Sequence, residues 1–284
     1  MSIFRKKIKI GLALGSGGPR GLAHIGIIKA LENNEIPIDC IAGSSAGSII
    51  GGLYSALKDI KKIEDIALSA NRRTLLSLFF DPSLTQGLIA GNKLERFIEK
   101  YIGNINFSDL KIPFTAVATD LITKEPVPIK KGKVVKALRA SSSIPFVLKP
   151  VKKGRHVLVD GGLSDPVPVD VVRKMGADLV IAVNLDYYLP NTSGKFGFYN
   201  IVSNSISIYA YNLSKNIIKR ADFVIPAKVE NVDLSTIVYK SKRAQIIDEN
   251  EKLMIKLIPK IKKLIDKKSK VSWTKFFDIF KLKK

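Results

Sequence analysis

Ser45 stands at the centre of Gly43-Ser44-Ser45-Ala46-Gly47, after the short apolar run Ile38 to Ala42 and before Ile49, Leu53 and Leu57 at helical spacing. A G-x-S-x-G sequence between a strand and a helix makes a tight turn that lifts the serine hydroxyl above a sheet, where it is a nucleophile for a carbonyl carbon. The following helix points its N-terminus at the same place and favours developing negative charge. The plainer alternative is a strand-to-helix turn with the serine as N-cap.

A second glycine-rich segment, Gly15-Ser16-Gly17-Gly18-Pro19-Arg20-Gly21, follows the apolar run Ile8 to Leu14. Acyl transfer passes through a tetrahedral oxyanion that needs fixed N–H donors, and glycines let the backbone approach it. Pro19 has no N–H, so Gly17 and Gly18 are the candidate donors, with the Ala46 amide beside them. Arg20 either shapes the loop or attracts a phosphate head group; a surface salt bridge is the alternative. A dinucleotide fingerprint fits poorly, because Arg20 fills the third glycine position and Asp39 precedes the elbow.

A serine hydroxyl needs a proton acceptor. The chain has two histidines, His24 and His156, and neither follows Asp160. The hydrolase order serine, carboxylate, histidine is therefore unavailable. His24 reads as a packing or capping residue. Asp160 closes the apolar run His156 to Val159 and precedes Gly161-Gly162, so it sits at the carboxyl end of a strand, where partial desolvation suits a base. A simple turn is the other reading of these three residues. His156, four residues earlier on the same face, is the weaker rival for the base.

Together the three motifs resemble the patatin-like phospholipase family: a glycine loop with an arginine, then G-x-S-x-G, then D-G-G far downstream. Leu22-Ala23-His24-Ile25-Gly26, Arg139-Ala140-Ser141-Ser142-Ser143-Ile144-Pro145 and Asp165-Pro166-Val167-Pro168 are similar to bacterial members, so the resemblance covers roughly residues 8 to 186. It implies a three-layer α/β/α fold, a Ser45–Asp160 dyad without histidine, and hydrolysis of fatty-acyl esters in phospholipids, lysophospholipids or neutral lipids. It implies no metal and no cofactor. Plant members begin the first loop with D-G-G-G; Gly15-Ser16-Gly17-Gly18 is the variant of bacterial members. A non-hydrolytic lipid-binding regulator and an acyltransferase are the competing functions.

The elements that must hold these motifs follow an α/β rhythm. Strand, glycine turn and helix occur twice in succession, which predicts a mainly parallel central sheet covered by helices. Further strands are expected at Pro113 to Asp120, Glu125 to Ile129, His156 to Val159, Leu179 to Leu185 and Phe223 to Pro226. Lys58 to Tyr101 is helical in pattern with a loop near Asp81-Pro82, a helix is expected around Val134 to Arg139, and Pro190 to Lys195 reads as a loop or flap.

The 284 residues are 46% hydrophobic, enough for one large domain, expected over residues 1–250. No run approaches the length of a membrane-spanning helix, and the basic, apolar N-terminus leads into the glycine loop rather than a cleavage site. A lone Cys40 excludes an intrachain disulfide and suits a reducing cytoplasm. The net charge of +22 points to anionic partners. It is concentrated in the tail, 251–284, where from Lys252 to Lys284 twelve lysines face two aspartates. Met254, Leu257, Ile258, Ile261, Leu264 and Ile265 form an apolar helical face expected to dock on the domain, with Pro259 expected to kink or interrupt it. Trp273, Phe276, Phe277 and Phe280 form a second face beside lysines, which suits peripheral contact with an anionic membrane. Nucleic acid is a poor fit, since the tail has little arginine and no binding motif.

Overall fold

The computed structural model describes residues 6–79, 91–186, 198–229, 232 and 237–270. In chain order the elements are β1 (Ile10–Leu14), α1 (Ala23–Asn33), β2 (Cys40–Ser44), α2 (Ala46–Leu57), α3 (Ile60–Ser69), α4 (Arg72–Phe79) and α5 (Asn92–Ile102). They continue with β3 (Phe114–Asp120), β4 (Pro126–Ile129), α6 (Val134–Ser141), β5 (Val151–Lys153), β6 (His156–Asp160) and α7 (Val169–Lys174). The last described are β7 (Leu179–Asn184), α8 (Phe198–Ile217), β8 (Phe223–Pro226) and α9 (Lys240–Ser269).

The strands β1, β2, β3 and β7 are buried at every residue, as a sheet covered on both faces demands. Their alternation sorts side chains by size. Ile10, Leu12 and Leu14 of β1, Ile41 of β2 and Leu179, Ile181 and Val183 of β7 enter the larger core, shared with α1, α2, α3, α5, α6 and α9. The opposite face carries the smaller Ala13, Cys40, Ala42 and Ala182, against Val169 and Val172 of α7 and Ile217 of α8. Small residues let α7 lie close to the sheet: a Cβ added at Gly11 would stand 2.2 Å from Val172 Cγ1. The result is three layers, α/β/α.

β2, β1, β7 and β8 are joined in parallel, and β3 pairs parallel with β2; β4, β5 and β6 add antiparallel pairings. The sheet is therefore mixed, with its centre parallel. Register along β3 decides where the motifs meet. Val117 pairs with Ser44 of β2 and with Pro128 of β4, whereas Ala118 pairs with Asp160 of β6 and with Val127 of β4. A strand residue has two neighbours, so β2 and β6 share one edge of β3 and β4 lies along the other. β2 runs up that edge and stops; β6 runs down it and stops at the adjacent residue.

α9 settles one of the two alternatives for Pro259, a kink or an interruption. It runs from Lys240 to Ser269 with Pro259 inside it, so the proline does not interrupt the helix. Pro259 is on the exposed side, where water can reach the carbonyl that loses its donor. The helix also passes unbroken through residue 250, where composition changes. Met254, Ile258 and Ile261 are buried in the larger core, and Leu257, Leu264 and Ile265 pack at its margin. β5, α7, α8 and the start of α9 are additions to the sequence reading. Asp81-Pro82, Pro190 to Lys195 and Trp273 to Phe280 lie outside the described residues.

α9 lies so close to α1 that backbone meets backbone: a Cβ at Gly26 would stand 2.0 Å from Ile247 O and 2.8 Å from Glu251 N. Gly26→Ala must therefore move one helix. Urea unfolding is expected to show a loss of about 1–3 kcal/mol, or more if the helices cannot separate; an unchanged midpoint would refute the close contact.

Candidate active site

The elbow is shaped by two close approaches. A Cβ at Gly43 would stand 2.4 Å from Gly47 O, and one at Gly47 would stand 2.2 Å from Leu14 O. Between them Ser45 takes φ 52° and ψ −121°, a sparsely populated conformation for a residue with a side chain. The surroundings hold it there. Ser45 N donates to Ser141 Oγ at 3.0 Å, Ser48 Oγ donates to Ser45 O at 2.7 Å, and Ser44 Oγ donates to Asp165 O at 2.6 Å. The Ser45 hydroxyl makes no capping bond to α2. It donates to Asp160 Oδ2 at 2.6 Å instead.

Asp160 reaches that position because β6 ends one β3 residue above the end of β2. Its N–H donates to Ser143 O at 2.9 Å, and its Oδ1 accepts from Gly162 N at 2.8 Å. Gly161 O in turn accepts from Asp165 N at 2.9 Å, closing the turn. Burial pushes the Asp160 carboxyl up to about 6, although the bonds from Ser45 and Gly162 pull the other way; the nearby Asp186 adds to the rise. Near neutral pH this carboxylate is ionised yet basic enough to accept a proton.

The glycine loop lies against both. Gly15 N donates to Val183 O at 3.0 Å and Ser16 N to Pro166 O at 2.8 Å, anchoring the loop's start to β7 and to the segment before α7. Gly21 abuts Ala46, the first residue of α2, and Gly162 abuts Ser16. Gly18 has φ 53°, and its added Cβ would meet nothing within 4 Å, so the loop is open at that point. The three sequence motifs thus converge.

Arg20 faces inward, onto Asp186. Its Nη2 donates to Asp186 Oδ1 at 2.7 Å, Nη1 to Leu185 O and Nε to Gly17 O at 3.2 Å each, with the two side chains 10% and 2% exposed. The guanidinium ties the loop to the end of β7. Burial raises the Asp186 carboxyl, and Arg20 opposes the rise.

Neither histidine touches Ser45. His24, fully buried, has its Nε2 2.8 Å from Gly15 O, and burial lowers it to about 4, so it is neutral and holds the loop. His156 Nδ1 lies 2.7 Å from Asp120 Oδ2, and that contact leads the causes holding the Asp120 carboxyl below its usual range. His156 thus belongs to Asp120, not to the serine. The sequence reading assigns no role to Asp186 or Ser141. Asp186 had a signal, since it follows the run Leu179 to Leu185 as Asp160 follows its strand; Ser141 lies in the Arg139 to Pro145 segment, without a role assigned. Among the described residues, no group of three or more His, Cys, Asp or Glu is placed to hold a metal ion, and no helix is long and apolar enough to cross a membrane.

A three-layer α/β protein with a buried serine–aspartate contact at the carboxyl edge of its parallel strands is the class that this fold and site define. The Patatin-like phospholipase family model matches residues 12–173, and the chain belongs to that family. It is 40% identical over 179 residues to an NTE family protein of Mycobacterium tuberculosis, covering 63% of this chain and 49% of that one. It is 34% identical over 191 residues to Lysophospholipase nte1 of Aspergillus fumigatus, covering 66% of this chain and 12% of that protein. The chain thus spans about half the length of the mycobacterial relative and a small part of the fungal one. Among solved structures, VipD from Legionella pneumophila aligns with a TM-score of 0.57 at 13% identity, covering 90% of this chain and 67% of that one, a likeness of fold.

Removing one partner of the Arg20–Asp186 pair leaves a buried charge uncompensated. Asp186→Ala is expected to cost about 3–5 kcal/mol in denaturant unfolding, and the Arg20→Ala, Asp186→Ala double variant less than the sum of the singles. Additive losses would show that the two side chains act separately.

Proposed function

We propose that the chain is a lipid acyl hydrolase in which Ser45 is the nucleophile and Asp160 the base. The observation that carries this reading is the 2.6 Å hydrogen bond from a strained, buried serine to a buried carboxylate whose burial raises it to about 6. As Ser45 Oγ attacks the ester carbonyl carbon, its proton passes to Asp160 Oδ2. The negative charge moves to the former carbonyl oxygen, for which the backbone amides of Gly17 and Gly18, with that of Ala46, are the proposed donors. Collapse expels the alcohol, which takes the proton from Asp160 and leaves an acyl-serine. Water then attacks that ester, gives its proton to Asp160, and the fatty acid departs as Ser45 regains its hydrogen. Phospholipids and lysophospholipids are the proposed substrates, supported by the family and by the fungal relative's name.

Ser45→Ala is expected to lower release of fatty acid from lysophospholipid by about a thousandfold or more, with an unchanged circular dichroism spectrum. Asp160→Asn should lose a comparable factor. Fatty acid released at the wild-type rate by either variant would remove that residue from the mechanism.

The pH profile is a separate check. The protonated carboxyl is no base, so kcat/KM is expected to fall as pH drops through about 6 and to level off above it. A flat profile from pH 5 to 8 would contradict Asp160 as the base.

A further inference from the structure

β3 does not stop at the level of the dyad. It continues from Ala118, opposite Asp160, to Asp120, and the turn that follows begins three residues, or about 10 Å, beyond that level. That turn carries Leu121, 51% exposed, and Ile122, 61% exposed. Beside it lies the turn between β5 and β6, because Lys153 pairs with His156 and Leu158 with Asp120. Both turns project from the same end of the sheet, above Ser45 and Asp160. The loop that begins at Ser143, whose carbonyl holds Asp160 N, carries Phe146, 65% exposed.

Exposed leucine and isoleucine at a turn tip are commonplace one at a time. Two features set these apart. The first is rigidity. The buried Asp120 carboxylate accepts from Ile122 N at 3.2 Å, Thr123 Oγ1 at 3.2 Å and Val157 N at 3.1 Å, and contacts His156; Leu121 N donates to Val157 O at 2.9 Å. One carboxylate thus ties the 121–124 turn to the start of β6, where the second turn ends, and the apolar side chains are exposed. Docking them elsewhere costs little ordering entropy. The second is charge. Lys124 and Arg155 on these turns and Lys152 and Lys153 at the adjoining end of β5 are exposed, against the exposed acid Glu125.

We infer that the paired turns, Leu121–Lys124 and Lys152–Arg155, are a docking surface for an anionic lipid interface. Leu121 and Ile122 enter the acyl region while the four cations meet the head groups, which seats the sheet end that bears Ser45 on the surface holding its substrate. The inference rests on the lipid-hydrolase reading for its purpose, but not for its test.

Binding of the full chain to vesicles of phosphatidylglycerol and phosphatidylcholine (1:1) is measured by co-sedimentation, alongside hydrolysis of a soluble short-chain ester. Leu121→Ser, Ile122→Ser together are expected to weaken vesicle binding by about tenfold or more, with hydrolysis of the soluble ester and the thermal midpoint unchanged. Lys152→Glu, Lys153→Glu should weaken binding to the anionic vesicles and leave the weaker binding to pure phosphatidylcholine alone. Wild-type affinity in the Leu121/Ile122 variant overturns the inference, as does a wild-type chain that ignores these vesicles. Binding that survives there but is lost with Phe276→Ser, Phe277→Ser assigns the contact to the tail and overturns it too. A wild-type chain that binds vesicles but cleaves no ester sinks the proposed hydrolysis, not the docking surface.

Discussion

The hydrogen bond between Ser45 and Asp160 joins residues 115 apart in sequence across 2.6 Å, and a contact that short tolerates no slack in what carries it. The carrier is β3. Its Val117 fixes the end of β2 and its Ala118 the end of β6, so two strands from distant parts of the chain meet end to end along one edge. A register slip of one residue in either pairing would separate the oxygens by about 3 Å along the strand and turn every side chain over. The buried alternation that sorts large residues to one face and small ones to the other makes such a slip costly. Core packing is therefore what sets the distance between nucleophile and base.

Around that contact, burial and hydrogen bonds together set the charges. Asp160 is raised by desolvation and restrained by hydrogen bonds from Ser45 and Gly162. Asp186, nearby and also buried, is answered by Arg20. Neutral His24 adds no charge while its ring nitrogen holds Gly15 O. The glycine loop is thus fastened by a cation and a neutral ring, and it stays open at Gly18.

The sequence made the motifs legible because their local chemistry is restrictive. Gly43 and Gly47 have no room for a side chain, Pro19 has no N–H to offer, and strand, turn and helix recur in order. The central strands were legible for the same reason as any fully buried strand: unbroken apolar runs bounded by turn residues. What the sequence did not expose was partnership at a distance. His156 and Asp160 share a strand face, yet His156 is matched to Asp120 across a strand pairing that no local pattern announces. Arg20 meets Asp186 only after β1 and β7 become neighbours. Pro259 predicts a kink or an interruption locally, and α9, docked on α1, is not interrupted there. Each miss is a case of tertiary contact overriding a local rule.

β4 has one more consequence. Asp120 N donates to Glu125 O, so residues of the same parity as Glu125, namely Val127 and Ile129, direct their backbone groups at β3. Pro126 and Pro128 are then the residues whose amide positions face away, and neither has a hydrogen to give. Among the described residues no strand pairs with that side of β4. The splint that spans the junction of β2 and β6 is also a sealed border: it offers no row of donors to an incoming strand, so neighbouring copies have no template there for growing into a continuous aggregate.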